Sequence, residues 1–306
     1  MAQRPSRATG LDPFRPHAFF LEEERDESGR VASSGTILLT NRECPWRCLM
    51  CDLWKNTLTD TVPPGAISKQ IEFALARLQT RPEQVKLYNS GSFFDSAAIP
   101  LADYPEIARS VASARRLVVE SHPRLVGERA LRLRDLLSGE LEVALGLETI
   151  HPAVLPRLNK NFGLDHFVQA AEFLHREKIG LRAFVLVKPP FLSEAEGVEW
   201  AVKSAAFSFS CGAAVVTLIP TRGGNGAMDR LRETGEFAPP KLGSLERTLE
   251  LALNLNKQGR VFADLWDLDQ FSDCAVCLAR RKERLHSMNL SQAILPAIEC
   301  PACAGA

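Results

Sequence analysis

The chain has 306 residues, 45% hydrophobic and 24% charged, with 37 Lys plus Arg against 37 Asp plus Glu. Those proportions fit a globular protein with one large domain, or one domain and a small appendage, and the zero net charge gives no support to a broad nucleic-acid-binding face. No apolar run approaches the roughly 18–20 residues that cross a bilayer, and the opening "MAQRPSRATGLDPFRP" lacks the apolar core of a secretory signal.

The expectation is therefore a cytoplasmic protein without membrane contact. In reducing surroundings, clustered thiols are metal ligands or redox groups more often than disulfides.

After a polar and loosely ordered first thirty residues, apolar runs alternate with helical stretches. "SGTILLTN" (34–41) reads as a buried strand, and "SKQIEFALARLQ" (68–79) as a helix with Ser68 at its N-cap. Strand 84–91 follows, then a helix near 103–115 and strand 116–121. Helix 127–139 ends on the capping Gly139, and strand 141–149 comes next. Helix 165–180, strand 181–190, helix 193–207, strand 213–221, a helix near 244–257 and the run 260–268 complete the series.

Six β-α units with near-continuous apolar strands imply a parallel sheet covered by helices. An open barrel and a doubly wound sheet both fit, and both gather ligands at the C-terminal strand ends. Those ends carry "NSGSFFD", "ESHP", "GLET", "KPPF" and "TRGGNG". There is no internal repeat.

The first strand runs into Cys44, Cys48 and Cys51, spaced C-x3-C-x2-C. Three thiolates on one irregular loop can hold three corners of an iron–sulfur cubane and leave one iron open. A zinc ion is the alternative, with Cys211 as a fourth ligand after folding; packing alone does not explain three thiols in eight positions. Near the end, Cys274, Cys277, Cys300 and Cys303 form two C-x2-C pairs across a 22-residue gap. That spacing approximates a zinc ribbon, whose short intervening segment would depend on metal for its fold; an auxiliary cluster is the other reading. Cys211 otherwise reads as buried and inert.

The cysteine loop after the first strand of a six-unit β/α chain resembles the radical S-adenosylmethionine enzymes. "YNSGSFFD", "VVESHP", "GLET", "NKNFGLDHFVQAAEF", "LVKPPFLSEAE" and "GEFAPP" are similar to the branch of the Elongator radical subunit and the archaeosine synthase radical subunit. The resemblance implies an α/β fold, a partial (β/α)6 TIM-like barrel over 34–260. An N-terminal extension (1–33) would precede it, and a C-terminal extension with the cysteine-rich module (261–306) would follow.

It also implies a [4Fe-4S] cluster on Cys44, Cys48 and Cys51. S-adenosylmethionine would chelate the open iron and be cleaved to a 5′-deoxyadenosyl radical that abstracts hydrogen from substrate. Ser90, Gly91 and Ser92 would meet its methionine end, in place of a Gly-Gly-Glu-like turn, and Glu148 its ribose hydroxyls. Glu120 and Lys188 are charged residues ending apolar strands, where each would face S-adenosylmethionine, contact the substrate or simply close a salt bridge. Glu120 is the further cofactor-facing candidate, and Lys188 and Arg222, the latter suited to a carboxylate or phosphate, are candidates for facing substrate.

Met50 stands where the family usually has an aromatic residue, and it is apolar and polarizable enough to pack beside adenine. His122 and His151 read as loop or capping residues. A flavodoxin- or ferredoxin-like reductant is an implied partner. The implied substrate is a deazaguanine base of tRNA, with a small molecule or peptide as the competitor, because "TRGGNGAMDRL" and "CDLWKNT" depart from that branch. From another class, a non-enzymatic zinc-binding module with two zinc sites competes.

Overall fold

The computed structural model describes residues 6–255 and 259–303. Its centre is one sheet of eight strands in sequential order. β1 (Ala18–Arg25) pairs antiparallel with β2 (Val31–Leu38). Parallel strands β3 (Gln84–Tyr88), β4 (Arg116–Ser121), β5 (Glu140–Glu148), β6 (Gly180–Val187), β7 (Val215–Pro220) and β8 (Arg260–Ala263) follow. Helices α1 (Ala66–Leu75), α2 (Tyr104–Ser110), α3 (Glu128–Leu136), α4 (Leu164–Arg176), α5 (Glu194–Ser210), α6 (Ala227–Glu233) and α7 (Leu242–Leu253) connect them, and α8 (Ala275–Ser291) follows β8. The partial TIM-like barrel expected from the sequence is the observed fold class.

Alternation explains the two faces of the sheet. Val85, Leu87, Leu117, Val119, Val143, Leu145, Ala183 and Val185 belong to the main apolar cluster with helix residues such as Ile71, Ile107, Leu133 and Leu174. The intervening positions carry charge. Arg182 on β6 donates through both terminal nitrogens to Glu24 on β1, at 3.0 and 2.6 Å, and through Nε to Glu142 at 2.6 Å. Lys86 on β3 lies 2.7 Å from both Glu22 and Glu24. Because β1 is not a neighbour of β3 or β6 in the sheet, these bonds cross the barrel interior. Tyr88 and Phe184 also meet across it, edge-on at 5.9 Å.

The sequence reading fails for the first thirty residues. Glu22 and Glu24 look like solvated charge, but they are partners of buried cations, and their strand adds to the sheet. Ser68 is not the N-cap of α1. Gly65 holds that position, and the buried Ser68 donates its hydroxyl back to the Gly65 carbonyl. Gly139 is not a cap either; a Cβ there would fall 2.5 Å from the Arg115 carbonyl oxygen, so glycine permits a backbone approach. Of the expected helix near 244–257, positions 256 and 257 lie outside the described residues.

The C-terminal segment departs furthest from expectation. The gap between the cysteine pairs is no ribbon: it is mostly the 17-residue α8, whose N-cap is Cys274 and which packs on both β1 and β8. Its side chains occupy the edge of β8. Asn289 both donates to and accepts from the Ala263 backbone, at 2.9 and 2.8 Å, and Gln292 does the same at Val261, at 2.8 and 2.7 Å. Carboxamides thus satisfy edge groups that another strand would otherwise pair.

Candidate metal centre and cofactor site

The cysteine loop, residues 42–58, leaves β2 and is held from four sides. Leu49 donates its N–H to Leu158 O at 2.8 Å, and Asn159 Nδ2 donates to Arg47 O at 2.8 Å. From the glycine-rich loop after β7, Asn225 Nδ2 donates to Leu49 O and Cys51 O, at 2.8 and 3.1 Å. Trp46 stacks on His122 at the end of β4, ring centroids 3.8 Å apart. Met50 joins a small apolar cluster with Val154, Leu158, Leu186 and Ile219. The loop is therefore pinned by four other strand-end segments, while its thiols remain partly accessible.

Cys44 and Cys51 are pushed up to about 12 by burial, so neither ionises readily before a metal replaces its proton. Among the described residues, the four C-terminal cysteines are the thiol group whose sulfurs all lie within 4.8 Å of one another; the three loop cysteines are not such a group.

Three sequence-selected positions share a backbone feature. Ser90, Glu148 and Lys188, at the ends of β3, β5 and β6, have φ of 54°, 66° and 54°. Left-handed geometry at non-glycine residues is uncommon, and it concentrates where a site demands it. A Cβ on Gly91 would lie 3.0 Å from that of Cys44, so the strand-end turn contacts the cysteine loop directly. Ser92 shares a hydrogen bond with Ser121, 2.9 Å between hydroxyls.

Next to them, Asn89 has a fully buried carboxamide with neither oxygen nor nitrogen hydrogen-bonded. Asn41 Oδ1, at the entrance to the cysteine loop, is in the same state. Unpaired buried polar atoms at adjoining strand ends fit a place where a polar ligand or ordered water completes the bonding.

Glu120 faces the turn. Its Oε1 accepts from the N–H groups of Asn89 and Gly91. Burial raises its carboxyl to about 7, against the lowering effect of those backbone bonds. Lys188 pairs with Glu194 at 2.8 Å and reaches the Pro239 carbonyl at 3.4 Å; its Cβ packs against Gly197 of α5. Arg222 pairs with Asp264 at 2.9 Å and bonds the Trp266 carbonyl, tying the ends of β7 and β8 together. These contacts give both cations protein partners, while Arg222 Nε is buried with no hydrogen-bond partner.

Glu148 is 2.5 Å from Lys160 Nζ, which also donates to Gly146 O at 2.6 Å. β5 shifts register against β6 between Gly146 and Glu148, and a Cβ at Gly146 would collide with the lysine ammonium. Sequence reasoning missed Lys160; the one available signal was a lysine in the "NKNFG" turn, where a solvated charge is the default reading.

His122 and His151 cap loops through Nδ1, accepting from Arg124 N at 3.2 Å and Ala153 N at 3.1 Å. Burial and the Lys160 ammonium bring His122 down to about 4. Cys211 follows α5 and is half-buried rather than buried.

At the C-terminus, Cys274 and Cys300 sulfurs are 3.9 Å apart, and Cys277 and Cys303 sulfurs 3.7 Å. A tetrahedral ion with metal–sulfur bonds of about 2.3 Å sets its sulfurs roughly 3.8 Å apart. The observed separations match that figure. The site would join the start of α8 to the chain's end.

No family model matches the chain. It is 23% identical over 304 residues to an uncharacterized protein of Methanocaldococcus jannaschii, covering 92% of this chain and 83% of that one. It is 24% identical over 272 residues to archaeosine synthase subunit beta of Methanosarcina acetivorans, covering 84% and 78%, and 30% identical over 211 residues to the same subunit of Thermococcus kodakarensis, covering 65% and 64%.

Among solved structures, methylornithine synthase superposes with a TM-score of 0.56 at 13% identity, over 81% of this chain and 66% of that one. Streptococcus suis SuiB bound to S-adenosylmethionine gives 0.53 at 11%, over 73% and 48%. The archaeal Elp3 of Methanocaldococcus infernus gives 0.51 at 15%, over 63% and 51%. The chain thus spans about half the length of the last two. It shares the fold of these three proteins, and the resemblance drawn from its cysteine loop and strand ends is borne out as to fold. No described helix is long and apolar enough to cross a membrane.

Proposed function

We propose that this chain is a radical S-adenosylmethionine enzyme whose cluster is held by Cys44, Cys48 and Cys51. The observation that carries the reading is a loop of three thiols, locked by four neighbouring segments at the strand ends of this fold. When bound, the cluster and S-adenosylmethionine supply a reducing electron and a 5′-deoxyadenosyl radical.

The chain's residues would do the rest. Gly91 lets the β3 turn approach the cluster loop, Asn89 to Ser92 offer polar atoms to the methionine end, and Glu148 accepts from the ribose hydroxyls. Glu120 holds the turn by its amides. The electron would come from a flavodoxin- or ferredoxin-like protein. Likeness to two subunits named archaeosine synthase subunit beta supports a modified tRNA base as substrate. Anaerobic reconstitution with iron and sulfide, then dithionite and S-adenosylmethionine, should yield 5′-deoxyadenosine. A loop that takes up zinc instead of an iron–sulfur cluster would overturn the reading.

The C-terminal cysteines would hold one tetrahedral ion, and zinc suits four thiolates closed off from substrate. Its removal by a chelator should lower the melting temperature, because it frees the end of the chain from α8 while leaving iron in the loop. Metal analysis that finds two iron–sulfur clusters per chain and no zinc would contradict this assignment.

A further inference from the structure

A buried ion pair, Lys160 with Glu148, lies on segments that hold the cysteine loop. The lysine ammonium is buried, and the segment carrying it brackets Cys48: Leu158 O holds the N–H of Leu49 on one side, and Asn159 holds the carbonyl of Arg47 on the other. His122 fixes the Lys160 carbonyl at 2.8 Å. Glu148 and the Gly146 carbonyl hold its Nζ.

The lysine therefore cannot swing into solvent. Burial opposes its charge, but the Glu148 carboxylate in direct contact raises its pKa and keeps it protonated. Gly146 leaves the space that the ammonium fills.

We infer that Lys160 is a positioning residue that sets the reduction potential of the cluster on Cys44, Cys48 and Cys51, with Glu148 as its counter-charge. This rests on the cluster reading above. Reduction adds one electron, supplied from outside by dithionite in the test, and so one negative charge to the cluster. A fixed ammonium on the segment that brackets Cys48 favours the reduced form, and a carboxylate opposes it. In low-dielectric surroundings neither effect is screened as it would be in water.

The test is an anaerobic potentiometric titration of the reconstituted full-length chain without S-adenosylmethionine, followed by electron paramagnetic resonance of the reduced cluster. Glu148→Gln removes the counter-charge and should move the midpoint potential upward. Adding Lys160→Met to it should then lower the one-electron equilibrium constant at least tenfold, a shift of about 59 mV to the negative. Lys160→Arg, which keeps the charge, should stay near the wild type.

A double variant at the potential of Glu148→Gln, or a Lys160→Arg that falls as far below the wild type as the double variant falls below Glu148→Gln, would show that the lysine only shapes the loop. A wild type that assembles no iron–sulfur cluster would remove the cluster reading, and this inference with it. A cluster of unchanged potential would remove only the inference.

Discussion

Cys48→Ala should reduce 5′-deoxyadenosine formation to background and abolish the iron–sulfur chromophore of the loop, yet leave the chain folded. The central cysteine sits between the two backbone anchors at residues 47 and 49, so the loop keeps its path when the sulfur is lost. Asn225 still bonds Leu49 and Cys51, and Trp46 still stacks on His122. Removing one half-buried sulfur from such a frame costs about 1 kcal/mol of stability, within the range of ordinary substitutions.

The chemistry is less tolerant. Two thiolates leave two irons without protein ligands, and nothing in the C-terminal site is affected. The variant should therefore lose iron and sulfide while retaining its other metal. If iron and sulfide persist, the cluster belongs to Cys274, Cys277, Cys300 and Cys303, and the loop has another task.

Much of this arrangement could be read from the sequence, because strand and helix periods are local signals. The six β-α units, the cysteine loop and the strand ends bearing Ser90, Glu148 and Lys188 were all legible. What stayed hidden depends on partners distant in the chain. Glu24 reads as a surface acid until Arg182, 158 positions away, is seen beside it. Lys160 reads as a turn lysine until the register shift in β5 gives it a cavity at Gly146. Asn289 and Gln292 carry no signal in the sequence of the part they play until β8 lies against them. Lys188 stands out as a charge ending an apolar strand, with a salt bridge among its readings, and Arg222 for its place beside a glycine-rich loop; their partners Glu194 and Asp264 lie on later segments that composition does not connect to them.

The ion lattice inside the barrel makes the second large expectation. Arg182→Ala should destabilise the chain by about 3–5 kcal/mol, because truncating one partner of a buried pair strands the others. Arg182 is 2% exposed and supplies three charge-assisted bonds, two to Glu24 and one to Glu142. Lys86 remains on Glu24, and Arg116 remains 3.7 Å from Glu142, so the loss is not total.

The pH dependence follows from the direction of the Glu24 shift. Burial alone would raise its pKa, but Arg182 and Lys86 outweigh burial and hold it well below the ordinary carboxylate value of 4.5. A carboxyl depressed in the folded state contributes stability that is present above its unfolded pKa and lost as pH falls through its folded one. Without Arg182 the folded pKa rises toward the unfolded value or past it, and acid unfolding begins at higher pH. Circular dichroism over a descending pH series should show the midpoint of Arg182→Ala displaced upward. The triple variant Glu24→Gln, Glu142→Gln, Arg182→Met should recover much of the stability at neutral pH and weaken the pH dependence. Should Arg182→Ala match the wild type in melting temperature and acid midpoint alike, the lattice contributes no net stability and the apolar layer between sheet and helices carries the fold without it.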